Sequence, residues 1–323
     1  MSKKNVLNVK NMNVSFKSHG QEVKAVRGVS FQVEQGEIVG LVGESGSGKS
    51  VTMKAVMGIL PDNAKRTAES IELNGKELDN LSEKEYRKIR GREMTMIFQD
   101  PMTALNPLKK IGKQIEEVIL RQKKYTKAEA REKALEMLKR VGIPNPEIRM
   151  GQYPHEFSGG MRQRVLIAMA LACEPELLIA DEPTTALDVT IQAQILDLLK
   201  ELKDEFHTSI MLITHDMGVV ATVCSKVIIM YGGLVMECGT VEEVFYDPKH
   251  PYTKALLKAI PSLDLKEGER LQSIPGLPPS LVHPPKGCPF AERCECSSER
   301  CRNEKPEYTE FTETHRAMCF LNK

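Results

Sequence analysis

The stretch that decides the fold is Gly43-Glu-Ser-Gly-Ser-Gly-Lys-Ser50, whose spacing of glycines, lysine and serine matches a phosphate-binding loop at every fixed position. The residues before it, Glu37–Val42, are mostly apolar and predict a strand, and Val51–Leu60 after it has helical spacing that ends at Pro61. A strand, a glycine-rich turn and a helix are the context that this loop requires. The sequence therefore predicts a nucleoside triphosphate site here.

The residues of this loop have separate expected roles. Glycines allow successive backbone N–H groups to point at phosphate oxygens, and the helix N-terminus adds partial positive charge. Lys49 is expected to contact the β- and γ-phosphates, and the Ser50 hydroxyl to bind Mg²⁺. The predicted nucleotide contacts are Gly43, Glu44, Ser45, Gly46, Ser47, Gly48, Lys49, Ser50 and Val51.

A second motif, Leu177-Leu-Ile-Ala-Asp181-Glu182, is an apolar strand that ends in two acids. Taken alone, such a pair is more often an ordinary strand end. Downstream of a phosphate-binding loop, however, Asp181 is expected to reach Mg²⁺ and Glu182 to orient the attacking water as a general base. The two motifs together predict an ATP hydrolase.

The segment Phe157-Ser-Gly-Gly-Met-Arg-Gln163, followed by an apolar helix, resembles the signature motif of the ATP-binding-cassette (ABC) ATPases. Met161 stands where the family usually has Gln, while Ser158 and both glycines are kept. In the family's order, Phe16 resembles the aromatic residue that stacks on adenine. The resemblance also matches Gln99 to the Q-loop, Asp188 to the D-loop and His215 to the switch histidine.

The resemblance implies a site that two ATPase subunits complete together. Ser158, Gly159 and Gly160 open the helix predicted at Met161–Ala172, and in the family they face the γ-phosphate held by the other subunit. ATP would therefore hold two subunits together until it is hydrolysed. The implied catalytic residues are Lys49, Gln99, Glu182 and His215, and the implied Mg²⁺ ligands are Ser50, Gln99 and Asp181.

The pattern of apolar runs predicts an α/β fold with an ABC-type P-loop NTPase core, in which helices pack on a mixed sheet. Strand signals vanish between about 103 and 165, where Thr126-x-x-Glu129 is a capping box, so an all-helical subdomain is expected. We expect a nucleotide-binding domain over 1–240 and a small Pro/Cys-rich C-terminal extension over 241–323. The further predicted strands are Leu7–Phe16, Val29–Val33, Glu176–Ala180, Ile210–Ile213 and Val227–Met230, and Ile191–Leu202 is a predicted helix.

Two further segments, Met96–Pro107 and His250-Pro-Tyr-Thr253 with the Pro-rich stretch after it, resemble the ATPases of dipeptide, oligopeptide and nickel importers. The resemblance implies a second ABC ATPase subunit, either a paralogue or a second copy, two transmembrane permease subunits and an external substrate-binding protein. It also implies a peripheral position at the cytoplasmic face of the cell membrane. The ligand stays open among dipeptides, oligopeptides, nickel and opines, because other subunits recognise it.

Composition argues against other classes of protein. Apolar residues make up 41% and charged residues 28% of the chain, which excludes a disordered or collagenous protein. The net charge of +1 argues against nucleic acid as a partner, and so against a soluble ABC ATPase that acts on DNA or ribosomes. No apolar run approaches the roughly 20 residues of a membrane-spanning helix. The N-terminus lacks a signal peptide pattern, and a cytosolic protein is expected.

The cysteines divide into two groups. Cys173, Cys224 and Cys238 lie in apolar contexts and are expected to be buried thiols, whereas the others crowd the C-terminus. In a reducing compartment such a cluster is more typical of a metal site than of disulfides. Zn²⁺, a [4Fe-4S] cluster and unligated thiols all stay open, although the spacing lacks the paired C-x₂-C of structural zinc sites. The family resemblance favours a [4Fe-4S] cluster on Cys288, Cys294, Cys301 and Cys319, with Cys296 able to replace Cys294.

Overall fold

The computed structural model describes residues 4–18, 20–185, 187–260 and 274–322. The strands are β1 (Asn5–Ser18), β2 (Gln21–Glu34), β3 (Ile38–Val42), β4 (Ala64–Thr67), β5 (Ser70–Leu73), β6 (Lys76–Glu77), β7 (Met94–Ile97), β8 (Leu177–Asp181), β9 (Ser209–Thr214), β10 (Lys226–Tyr231), β11 (Leu234–Thr240), β12 (Thr309–Glu310) and β13 (Arg316–Ala317). The helices are α1 (Lys49–Val56), α2 (Glu83–Ile89), α3 (Pro101–Ala104), α4 (Ile111–Leu120), α5 (Lys127–Arg140), α6 (Pro146–Arg149), α7 (Gly159–Leu171), α8 (Val189–Phe206), α9 (Met217–Val223), α10 (Val241–Tyr246), α11 (Pro251–Lys258) and α12 (Glu299–Asn303). Single 3₁₀ turns occur at Pro154–Glu156, Ala291–Arg293 and Phe320–Asn322. The predicted α/β class is confirmed.

The chain divides into two compact units. One, called here the P-loop unit, consists of Leu7–Val33, Glu37–Asn80 and Ile213 to the C-terminus. The other, called the helical unit, consists of Leu81–Leu212 with the N-terminal residues up to Val6 and Glu34–Gly36.

The P-loop unit contains two groups of strands. In the first, β1 pairs antiparallel with both β4 and β5, and β5 also pairs antiparallel with β6. In the second, β3 lies parallel to β10, and β10 lies antiparallel to β11. Every residue of β3 is buried, as expected for a strand covered on both faces. Parallel and antiparallel neighbours therefore occur together, and the predicted mixed sheet is confirmed.

The helical unit contains the parallel pair β7 and β8 and the helices that follow them in the chain. Thr126 caps α5 as predicted: its hydroxyl accepts from the Glu129 backbone N–H, and its own N–H donates to the Glu129 carboxylate. Each of the helices α4 and α5 has a buried apolar face, which includes Ile111 and Ile115 on α4 and Ala134 on α5. Residues 103–165 are all described and form no strand, so the all-helical character predicted for them is confirmed.

The C-terminal extension shares a hydrophobic core with the strands of the P-loop unit. Tyr252 on α11 and Phe290 pack with Tyr231 at the end of β10, with ring centroids 4.5 to 5.4 Å apart. The short strand β13 pairs antiparallel with β11. Nothing in the local pattern of the extension predicts this pairing, because β13 has only two residues and its partner lies far away in sequence.

Some sequence predictions differ from the structure. The helix after the phosphate-binding loop ends at Val56, not near Pro61, because Gly58 adopts a left-handed conformation with φ of 64°. Cys173 is buried as predicted, but Cys224 and Cys238 are only partly buried. The strands β4 to β7 were not predicted, since each has four residues or fewer. The Pro-rich stretch spans 273–289; its first residue lies outside the described residues, and 274–289 form no helix or strand.

No helix in the described ranges has the length and apolar character needed to cross a bilayer.

Candidate functional site

The phosphate-binding loop connects the buried strand β3 to α1 in the P-loop unit. Gly48 caps α1 in a left-handed conformation with φ of 101°, and a Cβ added there would lie 2.5 Å from the Ala25 carbonyl oxygen. A Cβ on Gly43 would lie 2.1 Å from the Met230 carbonyl oxygen. Only glycine fits at these positions, because the loop backbone runs directly against neighbouring backbone.

Two polar side chains of the loop suit a phosphate ligand. Lys49 is only 6% exposed, and its ammonium donates to the carbonyl oxygens of Gly43 at 2.7 Å and Glu44 at 3.1 Å. The Ser47 hydroxyl is buried and has no hydrogen-bond partner. A buried hydroxyl is normally hydrogen-bonded, so this one marks a place where an acceptor such as phosphate fits. Ser45 and Gly46 are exposed at the tip of the loop.

The acidic motif lies where β8 ends in the helical unit. Asp181 is the last residue of β8 and is 3% exposed, while Glu182 follows with a positive φ of 47°. Such a backbone conformation costs roughly 1–3 kcal/mol in a non-glycine residue and is concentrated at functional sites. In this conformation the Glu182 carboxylate accepts hydrogen bonds from two side-chain donors.

Those donors are Gln99 and Thr185. The Gln99 amide donates to Glu182 Oε2 at 2.9 Å, and the Thr185 hydroxyl donates to the same oxygen at 2.9 Å. Gln99 follows β7, which is parallel to β8, so the two residues meet at the same edge of the strands. The structure thus brings together two of the predicted catalytic residues. Thr185 was not predicted, although it lies within one turn of Glu182 in sequence.

The signature segment begins α7. The Ser158 hydroxyl caps this helix by accepting from the Met161 backbone N–H at 3.4 Å, so α7 begins slightly earlier than predicted. A Cβ on Gly160 would lie 2.7 Å from an Ile191 methyl carbon, which explains a glycine at this close approach to α8. Ser158 and Gly159 are exposed, and their position at a helix N-terminus is suited to an anion.

The other predicted residues also occupy element ends. Phe16 lies on β1 opposite Ala64 of β4 and is partly exposed. Asp188 caps α8 by accepting from the Ile191 N–H at 3.0 Å. His215 follows β9 and is exposed. Phe16, residues 43–51 and His215 belong to the P-loop unit, whereas Gln99, residues 158–160, Asp181, Glu182 and Asp188 belong to the helical unit.

The C-terminal cysteines converge on one small cavity of about 20 Å³. All cysteines in the described part of the chain are free thiols. The pKa of Cys288 is raised to about 12, chiefly by burial and also by electrostatic repulsion from Cys319, Cys301 and Cys294. Among the described residues, however, no group of three or more His, Cys, Asp or Glu side chains is arranged to hold a metal ion. The cysteines lining the cavity are Cys288, Cys294, Cys296, Cys301 and Cys319.

His250 also lines this cavity and was not predicted as a site residue. Burial lowers its pKa to about 3, so the ring is neutral. Its Nδ1 accepts from the Tyr252 backbone N–H at 3.0 Å, which leaves the ring proton on Nε2. Nε2 is buried without a hydrogen-bond partner. The cavity is therefore lined by the five cysteines, by His250 and by apolar residues.

Comparison with known proteins finds relatives for both the nucleotide-binding region and the C-terminal region of the chain. The ABC transporter family model matches residues 26–185, and a model of the oligopeptide/dipeptide transporter C-terminal region matches residues 236–301. The dipeptide transport ATP-binding protein DppD of Bacillus subtilis is 55% identical over 98% of this chain and 94% of its own length. The chain belongs to the dipeptide and oligopeptide ABC transporter ATP-binding proteins. The oligopeptide transport ATP-binding protein OppD of Escherichia coli is 53% identical over 98% of this chain and 93% of its own length.

Solved structures of ABC cassettes share the fold. The ATP-binding cassette MJ0796, in a dimeric post-hydrolysis state bound to ADP and Pi, superposes with a TM-score of 0.66 at 29% identity, covering 73% of this chain and 98% of that cassette. The predicted ABC-type P-loop NTPase core is therefore confirmed, and with it the prediction of an ATP hydrolase. Nothing in these comparisons distinguishes a nickel transporter, and none of them bears on the cysteines.

Proposed function

We propose that this chain is the ATP-hydrolysing subunit of an importer of dipeptides or oligopeptides. The observation that carries this proposal is the identity of 55% to DppD of Bacillus subtilis and of 53% to OppD of Escherichia coli, each over 98% of this chain. The match of residues 236–301 to the oligopeptide/dipeptide transporter C-terminal region agrees with it. Residues 1–240 would form the nucleotide-binding domain and 241–323 its extension. Peptides are preferred over nickel or opines as cargo, because the relatives are named for peptide transport.

The proposed roles of the site residues follow from the resemblance of their motifs to those of the ABC ATPases. Lys49 and the loop N–H groups would bind the phosphates of ATP, with Phe16 beside the adenine and His215 beside the γ-phosphate. Ser50, Gln99 and Asp181 would hold Mg²⁺, which shields the phosphate charge. The Glu182 carboxylate accepts hydrogen bonds from Gln99 and Thr185 on one oxygen, and because a carboxylate has about four acceptor sites, it could also accept from an attacking water. Glu182 is therefore the proposed general base.

Ser158 and Gly159 are exposed and Gly160 is partly exposed, and we assign the three residues to the γ-phosphate of ATP bound by a second ATPase subunit. That subunit is a paralogue or a second copy of this chain, with Asp188 close to the shared surface. ATP would then hold the pair closed, and loss of the γ-phosphate would let it open. Two transmembrane permease subunits would convert this motion into transport at the cytoplasmic face of the membrane, with an external substrate-binding protein delivering the peptide.

Purification from native membranes tests the proposed assembly. We expect the tagged chain to co-purify with two polytopic membrane proteins, and its deletion to abolish uptake of labelled dipeptides or oligopeptides. A matched strain that expresses the Glu201→Gln variant, altered on the exposed side of α8, should keep uptake. If the deletion strain lost nickel uptake but kept normal peptide uptake, the proposal that peptides are the cargo would be contradicted. Sedimentation with ribosomes or DNA instead of membranes would contradict the whole function.

We also propose that the C-terminal cysteines bind a [4Fe-4S] cluster, with Zn²⁺ as the alternative. The donor set supports this: five cysteines line one cavity, together with His250, whose buried Nε2 has no hydrogen-bond partner. A single zinc ion would draw four sulfurs to within about 2.3 Å of one point. A cluster binds each thiolate at a different iron, so its ligands lie farther apart. The spacing of the cysteines, which lacks the paired C-x₂-C of structural zinc sites, favours the cluster over zinc. Bound metal would replace the thiol protons.

Metal analysis of anaerobically purified protein tests this assignment. We expect brown protein that contains iron and acid-labile sulfide, and Cys288→Ser should lose most of both. Cys173→Ser, at a buried cysteine that does not line the cavity, is the matched control and should keep them. Comparing Cys294→Ser with Cys296→Ser identifies the ligand between those two. Colourless protein with one zinc, or with no metal, would contradict the cluster.

A further inference from the structure

The C-terminal extension contacts the phosphate-binding loop through Arg293. This residue ends the 3₁₀ turn Ala291–Arg293, and its guanidinium donates to the Glu44 carboxylate at 2.7 Å and to the Tyr231 hydroxyl at 2.9 Å. The Arg293 side chain is 6% exposed and that of Glu44 is 25% exposed. Charged hydrogen bonds shielded from water are stronger than those on the surface. All three residues belong to the P-loop unit.

A second residue of the extension holds the backbone of the same loop position. The Tyr252 hydroxyl on α11 accepts from the Glu44 backbone N–H at 3.0 Å. Tyr252 is completely buried and is fixed by ring contacts with Tyr231 and Phe290. Both the side chain and the N–H of Glu44 are therefore held from the extension.

Arg293 is itself held in place by several contacts. Its Nε donates to the Pro275 carbonyl oxygen at 2.8 Å and its Nη2 to the Ile274 carbonyl oxygen at 3.0 Å. The guanidinium also lies over the rings of Tyr231 and Phe290. A side chain with this many fixed partners acts as a rigid support for the residue that it touches.

The contacts bear on phosphate binding in two ways. The Glu44 carbonyl oxygen accepts from the Lys49 ammonium, so the position of Glu44 helps to set the position of the phosphate-binding lysine. In addition, an unpaired Glu44 carboxylate beside the loop would repel a triphosphate, and Arg293 neutralises that charge. Loss of Arg293 would therefore disturb both the geometry and the electrostatic potential of the loop.

We propose that Arg293 and Tyr252 are positioning residues of the nucleotide site, through which the C-terminal extension sets the affinity of the loop for MgATP. The inference rests on the proposed function, in which ATP binds at residues 43–51. Neither residue touches the reacting atoms, so the effect belongs to nucleotide binding rather than to the hydrolytic step.

Titration of the purified full-length chain with MgATP tests this inference. We expect Arg293→Met to weaken binding and raise KM about 10-fold, with kcat changed less than about 2-fold, and Tyr252→Phe to weaken binding about 3-fold. Arg300→Met is the matched control, because Arg300 is 56% exposed and pairs with Glu304, outside the turn that carries Arg293. It should bind MgATP like the wild type. Thermal melting and iron content are measured on every variant. If Arg293→Met does not fold, the MgATP affinity of Tyr252→Phe tests the inference.

A double-mutant cycle separates positioning from general stability. Because Glu44→Gln removes the charge that Arg293 neutralises, the Glu44→Gln/Arg293→Met protein should recover about 3-fold of the lost affinity. A purely structural role for Arg293 would give no such recovery. Wild-type chain that binds MgATP, with Arg293→Met and Tyr252→Phe binding equally well, overturns this inference alone. Wild-type chain that does not bind MgATP overturns the proposed function and this inference with it.

Discussion

Glu182→Gln is expected to slow ATP hydrolysis about 1,000-fold while ATP binding persists. The substitution keeps the size of the side chain and an oxygen that can accept from Gln99 and Thr185, whose donors lie 2.9 Å away. An amide, however, cannot take the proton of the attacking water. The bound ATP would then remain uncleaved between two subunits. Single-turnover hydrolysis measures the rate, and gel filtration in MgATP measures the expected accumulation of a closed dimer.

A matched substitution makes this result specific. Glu201 lies on the exposed side of α8, so Glu201→Gln changes the same chemical group outside the site and should hydrolyse ATP at the wild-type rate. Normal turnover by Glu182→Gln would refute the role of Glu182 as the general base. Slow turnover without a trapped dimer would instead contradict the shared site formed with the partner ATPase subunit.

Lys49→Met should weaken MgATP binding about 100-fold, because it removes a buried positive charge from the centre of the loop. The methionine fills a similar volume but cannot donate to phosphate or to the Gly43 and Glu44 carbonyl oxygens, which now accept from Lys49. The effect should exceed that of Arg293→Met, since Lys49 would contact the nucleotide directly. Isothermal titration with MgATP measures it.

Lys54→Met is the control for that experiment. Lys54 lies in the last turn of the same helix, α1, so its loss changes the net charge equally without touching the loop. We expect its MgATP affinity to stay within about 2-fold of the wild type. An equal loss of affinity in both variants would show that net charge, rather than the position of Lys49, governs binding.

Local sequence was enough to predict the elements whose residues are neighbours in the chain. The spacing of Gly43, Gly48 and Lys49 predicted a turn whose glycines are required by close backbone contacts. The Thr126–Glu129 capping box was also readable, because both of its hydrogen bonds span three residues. Short strands such as β4 and β13 were missed, since a run of two to four residues has no usable periodicity.

The sequence predicted the residues of the site but not the contacts between them. Gln99 and Glu182 were predicted because the order of the motifs resembles that of the ABC ATPases. The hydrogen bond between them arises because β7 and β8 lie parallel. Their distance in sequence, 83 residues, gives no sign of that contact. The individual roles of these residues stay predictions until the variants are measured.

The linear order of residues was sufficient to predict the α/β class, the phosphate-binding loop and the ABC family. Each of these depends on the spacing of residues within short segments and not on contacts between distant segments. The support of Glu44 by Arg293 and Tyr252 depends on folding. These partners lie 249 and 208 residues away from Glu44, and they meet it only because the extension shares a core with the strand that leads into the loop. Side-chain contacts across such separations are set by packing of the whole unit, which no local pattern encodes.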